Sequence, residues 1–385
     1  MAVISPFAVG LIYIGITVVI WTGAGFATQY LETTLEFNAP FLFTYLSSVL
    51  FAVNLPLYYV VSATKGAADA TQASKSSSEE GYYQLDIKDS LETTVLTLMP
   101  RDATTVSQDR YMSNDPDDII SSQGMLGWLF SPLPAKSSLS DMIIAATVLA
   151  PVLFLGNLFY NYSLMFTSIS SSIVIANLNG SFTLLFSYLS GVEEVTSRKV
   201  LGVGLCLVGV LLVSQGDRVA EKSGEMDSTA MFGDAISLAG AVCYGLYTTL
   251  IKIKIPDGTH QVSTSLLFGL MGVVTMVLGA PILVVLAVTK SGGFNKLTKS
   301  TLAFIFCEEM LDSVAANYLY ARATILASPS VAAVGESLTI PLSIVAEQGL
   351  SMAGSKFAGS AAEVTWWEVG GGALVTCGFL LLSLG

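Results

Sequence analysis

Long uncharged stretches, separated by short polar ones, extend over most of the chain. Residues 1–31 contain no Asp, Glu, Lys or Arg, and the same is true of residues 37–64. The uncharged stretch at 142–192 is long enough to cross a bilayer twice, because each helical crossing needs roughly 20 apolar residues. The pattern therefore predicts an all-α, polytopic membrane protein whose first partner is the lipid bilayer.

We predict about ten transmembrane spans, five on each side of a polar stretch at 216–229. The segment at 64–141 contains SKSSSEE and NDPDD, which predicts a largely disordered acidic loop. The predicted domains are a five-helix repeat at 1–215, which includes this loop, and a second five-helix repeat at 230–385. Spans one to ten are expected at 8–30, 40–62, 142–166, 172–190, 200–215, 232–251, 265–288, 301–320, 330–345 and 366–384.

The arrangement in two sets of five spans indicates an internal duplication. A shift of 225 positions relates span two to span seven, a shift of 158 relates spans three and four to spans eight and nine, and a shift of 169 relates span five to span ten. The last shift matches Gly202 with Gly371 and Gly209 with Gly378. Because five is an odd number, two such halves must enter the membrane from opposite sides, which predicts inverted repeats. The alternative is chance matching among apolar residues.

Composition narrows the classes of function. With 52% hydrophobic and 12% charged residues and a mean hydropathy of +0.67, the chain does not fit a water-soluble protein. The net charge is −12 and no basic stripe is present, so we expect no nucleic-acid partner. Cys206, Cys243, Cys307 and Cys377 fall inside apolar stretches, and the single histidine, His260, lies in a predicted loop. We therefore expect no metal site, no cofactor and no enzymatic activity.

Span eight carries the most informative chemistry, because Glu308, Glu309 and Asp312 lie inside it. A charge at the centre of a helix in lipid costs roughly 2.5 to 3.5 kcal/mol, so these acids should face a cavity. Their spacing of three and four residues places them on one broad face of the helix. Crowding in a low dielectric favours protonated carboxyl groups, as a proton-coupled carrier requires. Glu336 in span nine is the expected fourth member, because a short connection makes the two spans neighbours.

Each acid also has a simpler interpretation. If span eight begins later than we place it, Glu308 and Glu309 lie at a water interface and have no coupling role. Asp312 fits this alternative less well, because a boundary beyond it leaves too little apolar length to cross. For Glu336 the alternative is a pairing with Arg322, or with a hydroxyl, that serves packing alone.

Uncharged polar and aromatic side chains at the same depth are further candidates for solute contact. Interhelical packing is the alternative for the amides, and packing or interface anchoring is the alternative for the rings. Small residues in spans five and ten predict close helix packing, and a homodimer contact is the alternative for them. The amides and aromatics are Asn177, Asn179, Asn317, Trp21, Tyr244 and Tyr320, and the glycines are Gly202, Gly209, Gly371 and Gly378.

Three stretches resemble the F branch of solute carrier family 35, within the drug/metabolite transporter superfamily and its EamA-type repeats. They are FNAPFLFTYLSSVLF at 37–51, GDAISLAGAVCYGLYTTLIK at 233–252 and SVAANYLYARATILASPSVAAVGESLTIPLSIVAE at 313–347. The resemblance implies ten helices in two inverted repeats, transport of an unnamed solute, and an endomembrane such as Golgi or vacuole. The chain departs from the family at Asn317, where relatives commonly carry an acid, and at Glu336, where they carry an apolar residue.

The distribution of charge suggests a class of solute. No predicted span interior contains Lys or Arg, whereas phosphorylated solutes need cations in a low-dielectric cavity. A secondary transporter of a neutral or cationic organic solute, coupled to protons, therefore fits better. We expect a cytoplasmic N-terminus, because EEVTSRK and KIK then face the cytoplasm. The alternative function is a non-transporting membrane scaffold or trafficking partner that binds through its acidic loop.

Overall fold

The computed structural model describes residues 5–35, 37, 39–60, 129–133, 138–167, 169–221, 228–255, 263–289, 297–352 and 365–384. All regular structure within these ranges is helical, which confirms the all-α class. The predicted disordered loop lies outside the described residues except near its end, where Leu133 is buried and its amide donates to the Lys254 carbonyl at 3.4 Å.

The described helices match the predicted spans in number and order. Among the described residues, nine helices are long and apolar enough to cross a membrane, and span eight is the tenth helical stretch. Most ends agree with the sequence prediction to within four residues, whereas spans five, eight and nine continue six or seven residues beyond their predicted ends. The bounds of spans one to seven are Pro6–Thr33, Pro40–Val60, Leu139–Ser163, Ile169–Ala176 with Asn179–Leu189, Ser197–Glu221, Ser228–Lys254 and Thr264–Val288. Spans eight to ten are Lys299–Glu309 with Met310–Ala316 and Asn317–Leu326, Pro329–Glu336 with Thr339–Met352, and Trp366–Ser383.

Span three begins before its apolar stretch does. The Ser138 hydroxyl accepts from the Asp141 amide while the Asp141 carboxylate accepts from the Ser138 amide, a capping box that starts the helix at Leu139. Asp141, which we assigned to the loop, therefore lies in the first helical turn. Span five likewise continues to Glu221, beyond the predicted end at 215, because helix formation does not stop where apolar character does.

Spans four and nine are each interrupted at one point. Span four breaks at 177–178 and span nine at 337–338, and two helical segments continue on either side of each break. Span eight changes geometry instead, because residues Met310–Ala316 form a π-helical segment between two α-helical ones. Interrupted helices and π-segments loosen the regular backbone ladder, and they occur frequently at functional sites.

Packing between helices defines two faces of the molecule. Gly10 near the start of span one lies against Ala327 after span eight, whereas Tyr30 near the end of span one packs on Phe304 near the start of span eight. The two spans are therefore antiparallel. We call the face at which span one begins the N-terminal face and the other the opposite face. Chain direction places the turn at 190–196 and the start of span nine at the N-terminal face.

Two groups of spans pack mainly within themselves. Spans three, four and six form one bundle, and spans one, eight and nine form the other. Apolar side chains are exposed on the outer surface, where Val19 of span one is 62% exposed and Val277 of span seven is 63% exposed. Such a surface suits contact with lipid, as expected of an integral, multi-pass membrane protein.

Spans five and ten meet through their glycines. A Cβ on Gly209 would lie 2.6 Å from the Gly371 carbonyl oxygen, and one on Gly202 would lie 2.9 Å from that of Gly378. These distances leave no room for a side chain, so the four small residues allow the backbones to touch within one chain. The alternative role of the glycines in a homodimer stays a prediction.

A polar cavity between the two bundles

A cavity of about 590 Å³ separates the two bundles. It is lined by residues of spans one, two, three, four, six, eight and nine, and therefore by both halves of the sequence. In span one the lining begins at Trp21 and ends at Gln29, and in span three it continues to Leu164 at the helix end. The cavity therefore reaches the opposite face and stops near the middle of the molecule.

Aromatic side chains close the inner end of the cavity. Trp21 and Tyr244 line it, and Tyr320 packs between them with ring centroids 5.2 Å from Trp21 and 6.3 Å from Tyr244. Tyr320 itself is only 2% exposed, and its hydroxyl lies 3.2 Å from the Thr248 hydroxyl. Of these three candidates, Trp21 and Tyr244 face the cavity, and Tyr320 supports them from behind.

The two helix breaks meet beside this aromatic cluster. The Asn179 side-chain amide donates to the Glu336 carboxylate at 2.9 Å, and the Ser337 hydroxyl donates to the Asn177 side-chain oxygen at 2.6 Å. Both asparagines and Glu336 line the cavity. Residues with polar side chains thus join the interrupted points of spans four and nine. Among the described residues the recorded partner of Glu336 is Asn179 and not Arg322, the partner considered from the sequence.

Glu308, Glu309 and Asp312 form a compact triad. One carboxylate oxygen from each lies within 4.8 Å of those of the other two. Glu309 and Asp312 line the cavity, whereas Glu308 lies behind the wall and is 8% exposed. Glu309 is 0% exposed, so the alternative that places these two glutamates at a water interface does not describe this structure.

Hydroxyl groups supply part of the hydrogen bonding that the triad requires. Thr28 donates to Glu308 at 2.9 Å, and Ser313 donates to Glu309 at 2.7 Å. The Ser47 hydroxyl lies 2.7 Å from that of Ser313, which links the triad to span two. One buried oxygen of Glu308 and one of Glu309 have no hydrogen-bond partner in the described part of the chain. The spacing of the three carboxylates is one that could hold a metal ion, and our expectation of no metal stays a prediction.

Sequence reasoning missed several residues of the site. The hydroxyls Thr28 and Ser47 lie in apolar stretches and carried no signal that distinguishes them from other small polar residues. Glu347 also lines the cavity, near the opposite face. Asn317, a sequence candidate, lines it beside the π-segment and donates to the Asp312 carbonyl at 3.2 Å. Asn157 and Asn161, which the sequence also places at this depth, line the cavity as well. Further polar residues of the lining are Thr22, Gln29, Tyr160, Ser237, Thr339 and Ser343.

The charged residues that line the cavity are acidic. Among the described residues its lining includes the acids Glu309, Asp312, Glu336 and Glu347 and no Lys, Arg or His. A low-dielectric wall with unbalanced negative charge repels anions and attracts cations.

Contacts between the bundles close the N-terminal face. Glu193, in the turn between spans four and five, accepts from the Ser330 amide at 3.1 Å and the Ser330 hydroxyl at 2.5 Å. Lys199 forms an ion pair with the same carboxylate at 3.0 Å. Lys252 of span six donates to the Ile325 carbonyl at the end of span eight. This closure could not be predicted from the sequence, because Glu193 and Ser330 are far apart along the chain.

Comparison with known proteins gives the following similarities. A sequence model of the EamA-like transporter family matches residues 119–215. The "Thiamine-repressible mitochondrial transport protein THI74" of Saccharomyces cerevisiae is 26% identical over 345 residues, which cover 88% of this chain and 84% of that protein. The "Uncharacterized vacuolar membrane protein YML018C" of the same yeast is 24% identical, covering 88% of this chain and 82% of that protein.

Two further similarities concern a smaller region and the fold. "Solute carrier family 35 member F5" of Pongo abelii is 32% identical over 200 residues, 51% of this chain and 37% of that protein. A crystal structure matches with a TM-score of 0.55 and 14% sequence identity, covering 97% of this chain and 96% of that one. At this identity the structural match shows a shared fold and nothing about the solute.

Proposed function

Because the chain resembles EamA-like members of the drug/metabolite transporter superfamily, and among them the F branch of solute carrier family 35, we propose that it is a secondary transporter working by alternating access. The observation that carries the proposal is the polar cavity between the bundles, which reaches the opposite face and is closed towards the N-terminal face. A site exposed to one side at a time is what alternating access requires.

The two domains act in this proposal as inverted five-helix repeats, 1–215 and 230–385. Spans five and ten, which the repeat equates, are antiparallel and touch through reciprocal glycine contacts. Spans four and nine, also equated, are interrupted within two residues of corresponding positions, since the shift of 158 places 177–178 on 335–336 and span nine breaks at 337–338. Interrupted helices in matching positions of two halves are a known mark of transporter binding sites. Rocking of one bundle against the other would then expose the same site to either face.

The solute in this proposal is a small neutral or cationic organic molecule. The lining offers amides, hydroxyls and aromatic rings that can bind such a solute, and the part of the chain that the structure describes places no cation in it to balance a phosphate. The names of relatives as transporters also support a role other than catalysis.

Protons are the proposed coupling ion. Three carboxylates within 4.8 Å of one another in a buried place repel strongly when all are ionised. Either a cation binds beside them or at least one of them takes up a proton. Binding and release of a proton at the triad, and at Glu336 near the solute, would link the charge of the site to the side that it faces. The proposed location is an endomembrane with a cytoplasmic N-terminus, and one yeast relative is named as a vacuolar membrane protein.

Counterflow in proteoliposomes tests the transport proposal. Vesicles containing the purified full chain are preloaded with single members of a solute library, and labelled solute is added outside. We expect saturable exchange that is specific for a narrow group of solutes. Absence of exchange for every library member would contradict transport and would favour the scaffold alternative.

Asp312→Asn tests the coupling proposal separately. The variant keeps the size of the side chain and removes its ability to take up and release a proton. We expect exchange at equal pH on both sides to continue, whereas accumulation driven by a pH gradient is lost. Glu194→Gln, at an exposed position, is the matched control and should behave as the unmodified protein. Gradient-driven accumulation that persists in Asp312→Asn at every pH would refute the coupling role.

A further inference from the structure

The inner end of the cavity, away from the triad, combines aromatic rings with a carboxylate. Trp21 and Tyr244 present ring surface to the cavity, and Glu336 lines the same cavity. Val334 and Leu338, two residues before and two after Glu336, pack in the same apolar cluster as Trp21 and Tyr244. The carboxylate and the two rings thus border one region of the cavity.

The aromatic part of this region is held in a fixed position. Tyr320 lies between the two rings, is almost fully buried, and contacts the Thr248 hydroxyl. Thr248 in turn donates to the Tyr244 carbonyl at 3.0 Å, which ties it to the helix of span six. A ring surface fixed before binding loses little conformational entropy when a ligand packs on it.

The carboxylate of Glu336 is half-buried, and within the described part of the chain no cationic side chain lines the cavity beside it. One oxygen of Glu336 accepts from Asn179, an uncharged donor, and the lining contains no Lys, Arg or His in the described part of the chain. A charged carboxylate in such a place is favourable only if a cation balances it.

We propose that the transported solute is an organic cation whose positive charge is spread over an aromatic ring, bound with its charge against Glu336 and its ring against Trp21 and Tyr244. This inference rests on the proposed transport function and narrows it to one class of solute. Cations bind the faces of Trp and Tyr, with Trp the strongest, and aromatic cages recognise organic ammonium groups in this way. An inorganic cation needs no ring surface and would leave most of a 590 Å³ cavity unfilled.

Binding to purified full chain in lipid nanodiscs provides the test. The probes are two ring cations, 1-methylnicotinamide and N-methylquinolinium, each paired with its uncharged carbon counterpart, meta-toluamide and methylnaphthalene. Members of a pair have nearly the same shape and differ in charge. We expect at least one cation to bind roughly tenfold more tightly than its counterpart, the ratio that corresponds to about 1.4 kcal/mol. If neither cation binds more tightly, the inference is wrong.

Variants assign the binding to the named residues. Trp21→Ala should weaken cation binding by roughly 2- to 30-fold, Trp21→Phe should weaken it less, and Glu336→Gln should remove the preference for the cation over its counterpart. Trp367→Ala and Glu194→Gln, at exposed positions, are the matched controls. Cation preference that survives both Trp21→Ala and Glu336→Gln would overturn the assignment.

Counterflow separates this inference from the transport proposal. If vesicles exchange an uncharged library solute that the cations do not displace, transport stands and the cationic class fails. If no solute is exchanged while nanodiscs still bind the cation preferentially, the site assignment stands and transport fails.

Discussion

At the scale of single residues, the acidic triad of span eight brings like charges close together. Glu308, Glu309 and Asp312 lie within 4.8 Å of one another, and the described residues provide hydroxyls but no basic side chain in contact with them. Two like charges at this separation repel by on the order of 3 kcal/mol at an effective dielectric constant of about 20. A chain selected for stability alone would not retain such a cluster, and the proposed proton coupling would give a reason to keep it.

Glu309→Gln should therefore stabilise the protein while it impairs coupling. The amide keeps the hydrogen bond from Ser313 and removes one charge from the triad. We expect a higher Tm in detergent, with a larger increase at alkaline than at acidic pH, because protonation already relieves the repulsion in acid. Glu194→Gln should leave Tm unchanged. A Tm that falls by the same amount at every pH would mean that the carboxylate serves packing rather than coupling.

The sequence predicted the triad but not its neighbours. The cost of a charge in lipid was enough to assign Glu309 and Asp312 to a cavity, because this cost depends on little besides depth. The partners Thr28 and Ser47 could not be found in the same way. A hydroxyl in an apolar helix costs little when it bonds to its own backbone, so its presence does not indicate a site.

At the scale of helices, close contact between spans five and ten depends on missing side chains. Gly371 faces Gly209, and a Cβ on it would lie 2.5 Å from the Gly209 carbonyl oxygen. Its neighbour Gly370 has nothing within 4 Å of a built Cβ. The two adjacent glycines thus form a matched pair with one buried and one open position.

Gly371→Ala should destabilise the protein, and Gly370→Ala should not. Separation of the two backbones is expected to cost about 1 to 3 kcal/mol for the first variant, as overpacking does elsewhere. Alanine at the open position favours the helix by up to about 1 kcal/mol over glycine. Thermal unfolding in detergent measures both effects. Equal Tm values for the two variants would contradict the packing role of this contact.

The positions of the helices could be predicted from the sequence, whereas their interruptions could not. Apolar length alone determines where a chain crosses lipid, so the predicted spans agree with the helices to within a few residues at most ends. The breaks at 177–178 and 337–338 contain no proline, and each is held by a side chain of the other half, as in the bond from Ser337 to Asn177. Such long-range contacts leave no mark in the local pattern.

At the scale of the whole molecule, the two bundles are joined at the N-terminal face, and the cavity between them is open at the opposite face. The contacts of Glu193 with Ser330 and of Lys252 with Ile325 connect the two bundles at the N-terminal face. Towards the opposite face the cavity separates the same bundles. Exchange between the two access states would require these contacts to break, and they should therefore set the balance between the states.

Glu193→Gln should open the N-terminal face. The change removes the charge that Lys199 and the Ser330 donors share, and charged hydrogen bonds contribute about 1.5 to 3 kcal/mol each, so the population open to this face should rise roughly 10- to 100-fold. A Val331→Cys reporter measures it in a background without the four native cysteines, because Val331 is buried beside Ser330 in the cluster that joins span nine to Leu184 of span four. A water-soluble thiol reagent should label the reporter faster with Glu193→Gln than without it. The neighbouring Glu194→Gln should leave the labelling rate unchanged, and an unchanged rate in both variants would show that Glu193 does not hold the face closed.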